Sequence, residues 1–340
     1  MSKNIKNTIY IIGWLILILS LMLLSFILTF LFLLFIIYFQ QKRKIGQTER
    51  EEGLISHKEK NNTPIFGGLA FNTVIVIFLT FLLFKTKLDI HIYLLLIIPL
   101  IGYSTLGFVD DLIILKSKKN NGIKPNLKFL IQIFIAVIYF IIYLIFNFDT
   151  TINLGFINVE LKFLYGIFIL LAFSGFTNAT NLTDGIDGLL AGSFSIILIG
   201  LFFIVKDLNV KYIIGIIFAS LSAFLYFNLP KAKIFMGDTG SLGIGSLYVS
   251  ILIITKLEYL MFIFGLLYII EVLSVVIQVS YFKLTKGKRI FKMTPLHHHF
   301  EIVFSSEKKT LLLFYLITII SVVLGLILYR EINYGYFTFG

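Results

Sequence analysis

The sequence contains no cysteine, and this absence removes several kinds of chemistry at once. Disulfide bonds, thiolate metal sites and cysteine nucleophiles are all excluded. Charged residues are also scarce: they make up 14% of the 340 residues, whereas hydrophobic residues make up 58%. With a mean hydropathy of +0.97, the chain lies far outside the range of a soluble globular domain. The sequence therefore predicts a protein whose solvent is mostly lipid.

A linker between domains is also absent, because no Ser/Pro-rich stretch divides the chain and only 5 residues are proline. Membrane bundles of this length usually form one unit, so we predict a single transmembrane domain over residues 1–340. The formal net charge of +11 fits nucleic acid, anionic lipid or an anionic substrate as a partner. The positions of the charges must decide among these three.

Ten stretches approach the length of about 20 apolar residues that a spanning helix needs. They predict an all-α, polytopic integral membrane protein with ten transmembrane helices. The stretches cover residues 8–38, 64–84, 90–108, 129–148, 163–180, 188–205, 212–229, 241–255, 259–282 and 311–329. The first stretch is too long for the core of a signal peptide, so we expect it to be retained as a helix.

Most of the 29 basic residues follow odd-numbered spans. The positive-inside rule makes those loops cytoplasmic and puts both termini on the extracytoplasmic side. Every chemically unusual segment falls in or beside the same loops. These segments are residues 63–68, 110–111, 178–187, 228–241 and 297–301. The sequence therefore predicts that the functional groups gather at the cytoplasmic face.

Asp110 and Asp111 are predicted to end the third span. A charged residue inside the bilayer costs roughly 2.5 to 3.5 kcal/mol on insertion scales, so two adjacent carboxylates need a reason. A divalent cation is one reason. A solvated helix end is the alternative, although acidic groups at a helix C-terminus oppose the macrodipole.

Two further segments are polar in an otherwise apolar chain. Residues 178–188 hold two Asp, two Asn and two Thr, which is more than helix capping alone requires and suits a substrate with many hydroxyl and amide groups. Residues 235–241 contain two glycines and small polar residues around Asp238, which favours the approach of an anion to backbone amides. Asp110, Asp111 and Asp238 together suit Mg²⁺, which takes one or two carboxylates and leaves other positions to water and phosphates.

Three consecutive histidines, His297, His298 and His299, lie inside the chain rather than at a terminus, so they are not an expression tag. Consecutive residues point in different directions, and neither a cysteine nor a distant pair of histidines completes a zinc site. One or two of the three are expected to contact a substrate phosphate or amide. Glu271 and Gln278 are seven residues apart and are predicted to share an inward helical face.

Taken in order, these segments resemble the phospho-N-acetylmuramoyl-pentapeptide-transferases, the MraY type of polyprenyl-phosphate sugar-phosphate transferase. The resemblance extends over about residues 60–301 and rests on four blocks, residues 107–111, 178–188, 235–241 and 271–301. The triple histidine followed by Phe300 and Glu301 is the block that points to the muramoyl-pentapeptide substrate.

The resemblance implies a single transferase domain in the bacterial cytoplasmic (inner) membrane, with its active site on the cytoplasmic face. It implies transfer of phospho-N-acetylmuramoyl-pentapeptide from its UDP derivative to undecaprenyl phosphate, which releases UMP and forms lipid I for peptidoglycan synthesis. It also implies Mg²⁺ as cofactor, membrane lipid rather than nucleic acid as surroundings, and a homodimer.

The resemblance also assigns roles to individual residues. Asp111 and Asp238 would hold Mg²⁺, and Asp110 would position or deprotonate the lipid phosphate; with His297 these three form the predicted catalytic set. The predicted substrate-binding residues are Lys60, Lys128, Asn181, Asp184, Asp187, Asn228, Phe235, Gln278 and His298. Among these, Phe235 would stack on the uracil.

The sequence departs from the family pattern at two positions. Ile65 stands where the family usually has a second threonine hydroxyl, and Ile114 stands where a lysine is expected. Three alternatives stay open. A sister enzyme would use UDP-N-acetylglucosamine, the reaction could pass through an aspartyl-phosphate at Asp110, and a secondary transporter would also gather carboxylates in a helix bundle.

Overall fold

The computed structural model describes residues 3–46, 62–86, 88–117, 122–153 and 157–334. Lys60, one of the predicted substrate-binding residues, lies outside the described residues. The helices are α1 (Lys3–Arg43), α2 (Gly67–Lys85), α3 (Ile90–Ser117), α4 (Pro125–Ile145), α5 (Leu164–Thr183), α6 (Leu189–Ile204), α7 (Leu208–Asn228), α8 (Gly237–Ile254), α9 (Met261–Phe264), α10 (Leu266–Leu284), α11 (Leu296–Phe304) and α12 (Glu307–Tyr334). A 3₁₀ turn, Glu258–Leu260, precedes α9. The strands β1 (Thr151–Asn153) and β2 (Asn158–Glu160) pair antiparallel, with Ile152 opposite Val159.

Nine helices in these described ranges are long and apolar enough to cross a membrane. They correspond to nine of the ten predicted spans. The tenth, predicted over residues 188–205, is the apolar helix α6, which has 16 residues. The prediction of an all-α, polytopic membrane protein is therefore confirmed. The count of ten crossings and the extracytoplasmic position of both termini stay predictions.

The third helix continues beyond its predicted end. The sequence predicts that the third span ends near residue 108. The helix α3 continues to Ser117, so Asp110 and Asp111 lie inside it. The helix therefore extends past these two residues, and the end of the membrane span at this point stays a prediction. The chain has no glycine or proline between Gly107 and Gly122 to interrupt the helix, and the residues after Asp111 extend it.

The helix α8 forms the centre of the bundle. In its most apolar 18-residue window 83% of the residues are buried, against 22% in α1 and α10. Small residues let neighbours approach α8 closely, as is common between membrane helices. A Cβ atom at Gly107 of α3 would collide with the Asp238 carbonyl group, and one at Gly68 of α2 would collide with the Gly240 backbone.

The outer helices carry the lipid-facing surface. Large apolar side chains are exposed along α1, α10 and α12, including Leu19, Val276 and Leu312. In water such a surface would be an association site, whereas in a bilayer it is the expected contact with hydrocarbon. The polar side chains are thereby concentrated inside the bundle and at its ends.

Candidate active site

Asp111 caps the central helix from a neighbouring helix. Its Oδ1 accepts a hydrogen bond from the Asp238 amide at 2.9 Å, and its Oδ2 accepts from the Thr239 amide at 3.0 Å and from Thr239 Oγ1 at 2.6 Å. Met236, the N-cap residue of α8, makes no capping bond with its own side chain. The buried Asp111 carboxylate therefore satisfies the free amides at the positive end of α8.

Asp110 points away from this cap, because consecutive helical residues lie about 100° apart around the axis. Its Oδ2 lies 2.9 Å from Lys128 Nζ, and its Oδ1 accepts a hydrogen bond from the Ile123 amide. Lys128, in the first turn of α4, also forms an ion pair with Asp238 Oδ2. Lys128 therefore bridges a carboxylate of α3 and a carboxylate of α8.

The second oxygen of Asp238 is held by α5. Asn181 Nδ2 donates to Asp238 Oδ1 at 2.8 Å and to Ser241 Oγ at 3.0 Å. Asp238 lies in the first turn of α8, where the helix dipole favours a negative charge. Four helices thus contribute Asp110, Asp111, Lys128, Asn181 and Asp238 to one cluster, which we call the aspartate cluster.

Asp184 adds a further carboxyl group near this cluster. It directly follows α5, and burial raises the pKa of Asp184 well above its usual range, with Asp238, Asp111 and Asp187 raising it further. Lys128 therefore offers one positive charge against several carboxyl groups. Carboxyl groups crowded in this way favour a bound proton, as at Asp184, or an additional cation.

Asp187 and Asn228 join the loop after α5 to the loop after α7. Asp187 Oδ2 accepts from the Ala232 amide at 2.8 Å. Asn228 Oδ1 accepts from the Gly188 amide at 3.0 Å, and its Nδ2 donates to the Ile234 carbonyl at 2.9 Å. Both side chains are buried, so they brace the backbone around the half-buried Phe235.

His297 connects the histidine segment to the same region. It is fully buried at the start of α11, with Nδ1 3.2 Å from Glu271 Oε2. A Cβ atom at Gly185 would collide with the His297 ring, so the imidazole lies against the loop that holds Asp184 and Asp187. The predicted inward orientation of Glu271 is confirmed by its burial.

His298 and Gln278 lie nearby in different settings. His298 Nδ1 is 3.5 Å from Glu301 Oε2, one helical turn further along α11. Gln278 is also buried, and its Oε1 accepts hydrogen bonds from the amides of Ile290 and Phe291 at 3.1 and 2.9 Å. In this arrangement Gln278 holds the loop between α10 and α11, and its predicted contact with substrate stays a prediction.

The structure also brings in residues that the sequence reasoning missed. Asn72 of α2 donates to Ser104 Oγ at 2.9 Å and to the Thr239 carbonyl at 3.0 Å. Tyr315 of α12 donates to the Gly188 carbonyl at 2.7 Å. A polar Asn72 within an apolar span was a usable signal, whereas a single tyrosine in α12 was not.

The donor set of the aspartate cluster suits a hard divalent cation. In the described part of the chain no group of three or more His, Cys, Asp or Glu side chains is arranged to enclose a metal. Mg²⁺ does not need such a cage, because one or two carboxylates with water and substrate phosphates usually complete its shell. The carboxylates of Asp110 and Asp238 already converge on one positively charged group, Lys128 Nζ, which fits that mode.

Known proteins resemble this chain over most of its length. The family model of glycosyl transferase family 4 matches residues 91–256, which include the whole aspartate cluster. Phospho-N-acetylmuramoyl-pentapeptide-transferases from two strains of Staphylococcus aureus are each 43% identical to this chain. The alignment with strain bovine RF122 / ET3-1 covers 313 residues and that with strain MSSA476 covers 314. Each alignment spans 89% of this chain and 97% of the relative.

This chain belongs to the phospho-N-acetylmuramoyl-pentapeptide-transferase family. The resemblance inferred from the four sequence blocks is thereby confirmed. The match to glycosyl transferase family 4 stops before α10 and α11, so Gln278, His297 and His298 lie outside it. The roles of the individual site residues stay predictions.

Proposed function

We propose that this chain transfers phospho-N-acetylmuramoyl-pentapeptide from its UDP derivative to undecaprenyl phosphate, with release of UMP and formation of lipid I. The proposed location is the bacterial cytoplasmic membrane, with the reaction at the cytoplasmic face. The observation that carries the proposal is the aspartate cluster at one end of the central helix α8, with Lys128 between two carboxylates. The S. aureus relatives of that name support the choice of substrate.

Mg²⁺ is the proposed cofactor, with Asp111 and Asp238 as its ligands. When bound, it would neutralise charge on the diphosphate and make the phosphorus easier to attack. The three hydrogen bonds that Asp111 accepts leave about one of its four acceptor positions free, so capping α8 and binding an ion are compatible. Asp238 lies at the edge of the cluster, with its side chain 23% exposed, where an ion can reach it.

The chain's own groups supply orientation and charge. Lys128 is positioned to balance the negative charge of the phosphates, and Asp110 to orient the lipid phosphate through the same ammonium group. Asn181 fixes the rotamer of Asp238. Phe235 would stack on the uracil, while Asp187 and Asn228 keep the surrounding loops in place.

We favour direct attack over an aspartyl-phosphate at Asp110. An oxygen of the lipid phosphate forms a bond to the β-phosphorus, the bond from that phosphorus to the bridging oxygen breaks, and UMP leaves with the electron pair. A phosphate monoester has a second pKa near 6 and is mostly dianionic at neutral pH, so it hardly needs a strong base. Trapping a labelled phospho-enzyme that Asp110→Asn abolishes would overturn this preference.

The deciding experiment measures UMP release by purified, detergent-solubilised protein given UDP-N-acetylmuramoyl-pentapeptide and undecaprenyl phosphate. We expect release that requires both substrates, stops with a chelator and returns with added Mg²⁺. The exposed-site variant Asp89→Ala, at the opposite end of α3 from Asp110, should match the unmodified protein.

Two other outcomes would change the proposal. Turnover of UDP-N-acetylglucosamine in place of the muramoyl-pentapeptide substrate would keep the chemistry and move the specificity. If folded protein, which elutes as a single species on size exclusion, releases no UMP from either donor, transferase activity is contradicted and transport is favoured.

A further inference from the structure

The segment of residues 63–68, which we call the strap, runs beside the backbone that carries Phe235. The Phe235 amide donates to the Pro64 carbonyl at 2.8 Å. In return, the Gly67 amide donates to the Phe235 carbonyl at 2.8 Å and the Gly68 amide to the Met236 carbonyl at 3.0 Å. The position of Phe235 therefore depends on the position of the strap.

The strap is itself held by one side chain from the first helix. Gln40, near the end of α1, is 6% exposed, and its Nε2 donates to the Ile65 carbonyl at 2.7 Å. The Ile65 amide donates back to Gln40 Oε1 at 2.9 Å. One side-chain amide thus pairs with both backbone groups of a single residue, as a neighbouring strand would.

This pairing needs a side chain that is both a donor and an acceptor. The glutamine side chain offers a hydrogen-bond donor and an acceptor in one plane. A glutamate of the same length only accepts at neutral pH, and a methionine neither donates nor accepts effectively. Since the site is buried, water cannot readily replace a lost partner. The side chain of Ile65 is 2% exposed, so residue 65 holds the strap through its backbone.

We propose that Gln40 is a positioning residue for the nucleotide end of the substrate. Through Ile65 and the strap it sets where Phe235 lies relative to the aspartate cluster. The aspartate cluster has separate support, because Asp111 and Asn181 hold Asp238 without involving the strap. Loss of the Gln40 contacts therefore displaces Phe235 while leaving the reacting groups in place.

The expected kinetic effect follows from the separate support of Phe235 and of the aspartate cluster. The choice of substrate for the experiment rests on the proposed function. Gln40→Met keeps the length and packing of the side chain but removes both hydrogen bonds. We expect it to raise KM for UDP-N-acetylmuramoyl-pentapeptide roughly tenfold, with kcat and KM for undecaprenyl phosphate changed less than about threefold. Gln40→Glu keeps the acceptor for the Ile65 amide but sets an oxygen against the Ile65 carbonyl, so its KM should rise at least as much.

The matched control is Gln41→Met, which changes the same residue type one position further along α1, where the side chain is exposed. This variant should keep the KM of the unmodified protein. A Gln40→Met protein with a lower melting temperature but an unchanged KM would overturn the proposal, because Gln40 would then only support the fold.

A second measurement does not depend on the substrate. Hydrogen exchange of the folded proteins, followed by mass spectrometry, should be at least severalfold faster in residues 63–68 and 234–237 of Gln40→Met than in Gln41→Met. Equal protection in the two variants would refute the positioning role. If the unmodified protein releases no UMP but the exchange difference is present, the proposed function fails and the positioning role stands.

Discussion

The two ends of the central helix α8 carry buried acidic groups that differ in how their charge is balanced. The helix has 18 residues and is about 27 Å long, so its ends lie roughly a bilayer's hydrocarbon thickness apart. At its N-terminal end Lys128 is shared between Asp110 and Asp238, with Asp111 and Asp184 close by. Carboxyl groups outnumber cations there.

Beyond the C-terminal end of α8, a single buried carboxyl group contacts one lysine and one tyrosine through one of its oxygens. Glu258 is 2% exposed, and its Oε1 accepts from Tyr165 at 2.6 Å and lies 3.2 Å from Lys256 Nζ. Lys256 Nζ also donates to the Asp149 carbonyl at 2.8 Å, and Tyr143 donates to the same carbonyl. These bonds connect the turn after α8 to the chain just before β1.

The difference separates a structural cluster from a chemical one. Where one carboxylate meets one lysine and a tyrosine, the charges are balanced and the contacts hold chain segments together. Where Asp110 and Asp238 share one lysine and further carboxyl groups lie close by, the repulsion is relieved by a bound proton or by a further cation. Three predictions test this contrast, from the largest expected effect to the smallest.

The largest difference is expected between Asp238→Asn and Glu258→Gln, which remove one negative charge at either end of α8. Asp238→Asn should lower UMP release by about 100-fold or more, because electrostatic stabilisation of the reacting phosphates is lost. Glu258→Gln should keep turnover within about twofold of the unmodified protein, because it lies far from the reacting groups. Similar losses in both variants, at equal substrate saturation, would contradict the separation.

An intermediate difference is expected between the two lysines. Lys128→Met leaves two facing carboxylates without their shared cation and should lower kcat roughly 100-fold, with Lys128→Arg retaining part of the rate. Lys256→Met leaves the buried Glu258 carboxyl group without its cation and should lower the free energy of unfolding by about 2 kcal/mol. Steady-state kinetics and thermal unfolding of both variants separate the effects. A large kinetic loss in Lys256→Met would show that the contacts around Glu258 matter for the reaction.

The smallest effect concerns pH. Burial raises the pKa of Glu258 in the folded protein, so the folded state binds this proton more tightly than the unfolded state. The stability that this proton contributes is therefore greatest below the ordinary glutamate pKa, and it declines as the pH rises towards the raised pKa of the folded protein.

Glu258→Gln removes this dependence and leaves Asp184, whose pKa is also raised, in both proteins. From pH 4 to pH 8 the melting temperature of the unmodified protein should fall relative to that of Glu258→Gln. A difference that stays constant across this range would show that the Glu258 proton is not bound more tightly on folding.

Apolar runs in the sequence predicted where the helices lie better than they predicted where the helices end. The apolar runs located nine of the spans, because a spanning helix must satisfy its backbone internally and leave apolar side chains towards lipid. The length of α3 was not predicted because hydropathy falls at Asp110, whereas the helix continues to Ser117. Hydropathy reports the solvent of a helix, not where its hydrogen bonds stop.

The residue types of the site could also be predicted from the sequence, but the contacts between them could not. Asp111 was predicted as a metal ligand from the family resemblance, and nothing local indicated that it caps α8. Gln40 has no distinguishing neighbours, and its partner Ile65 is 25 residues away. Such contacts depend on how closely helices approach, which Gly68 and Gly107 permit at positions that only the packed bundle defines.

The sequence by itself determined that this protein is helical, that it lies in a membrane, and which family it belongs to, because those properties follow from composition, apolar run length and ordered motifs. Only the tertiary structure decided that Lys128 lies between Asp110 and Asp238. It also decided that the side chains of Asp111 and Gln40 form hydrogen bonds with distant backbone groups. The physical reason is that a side chain's partner is set by distance and direction across helices, and neither is encoded in the residues next to it.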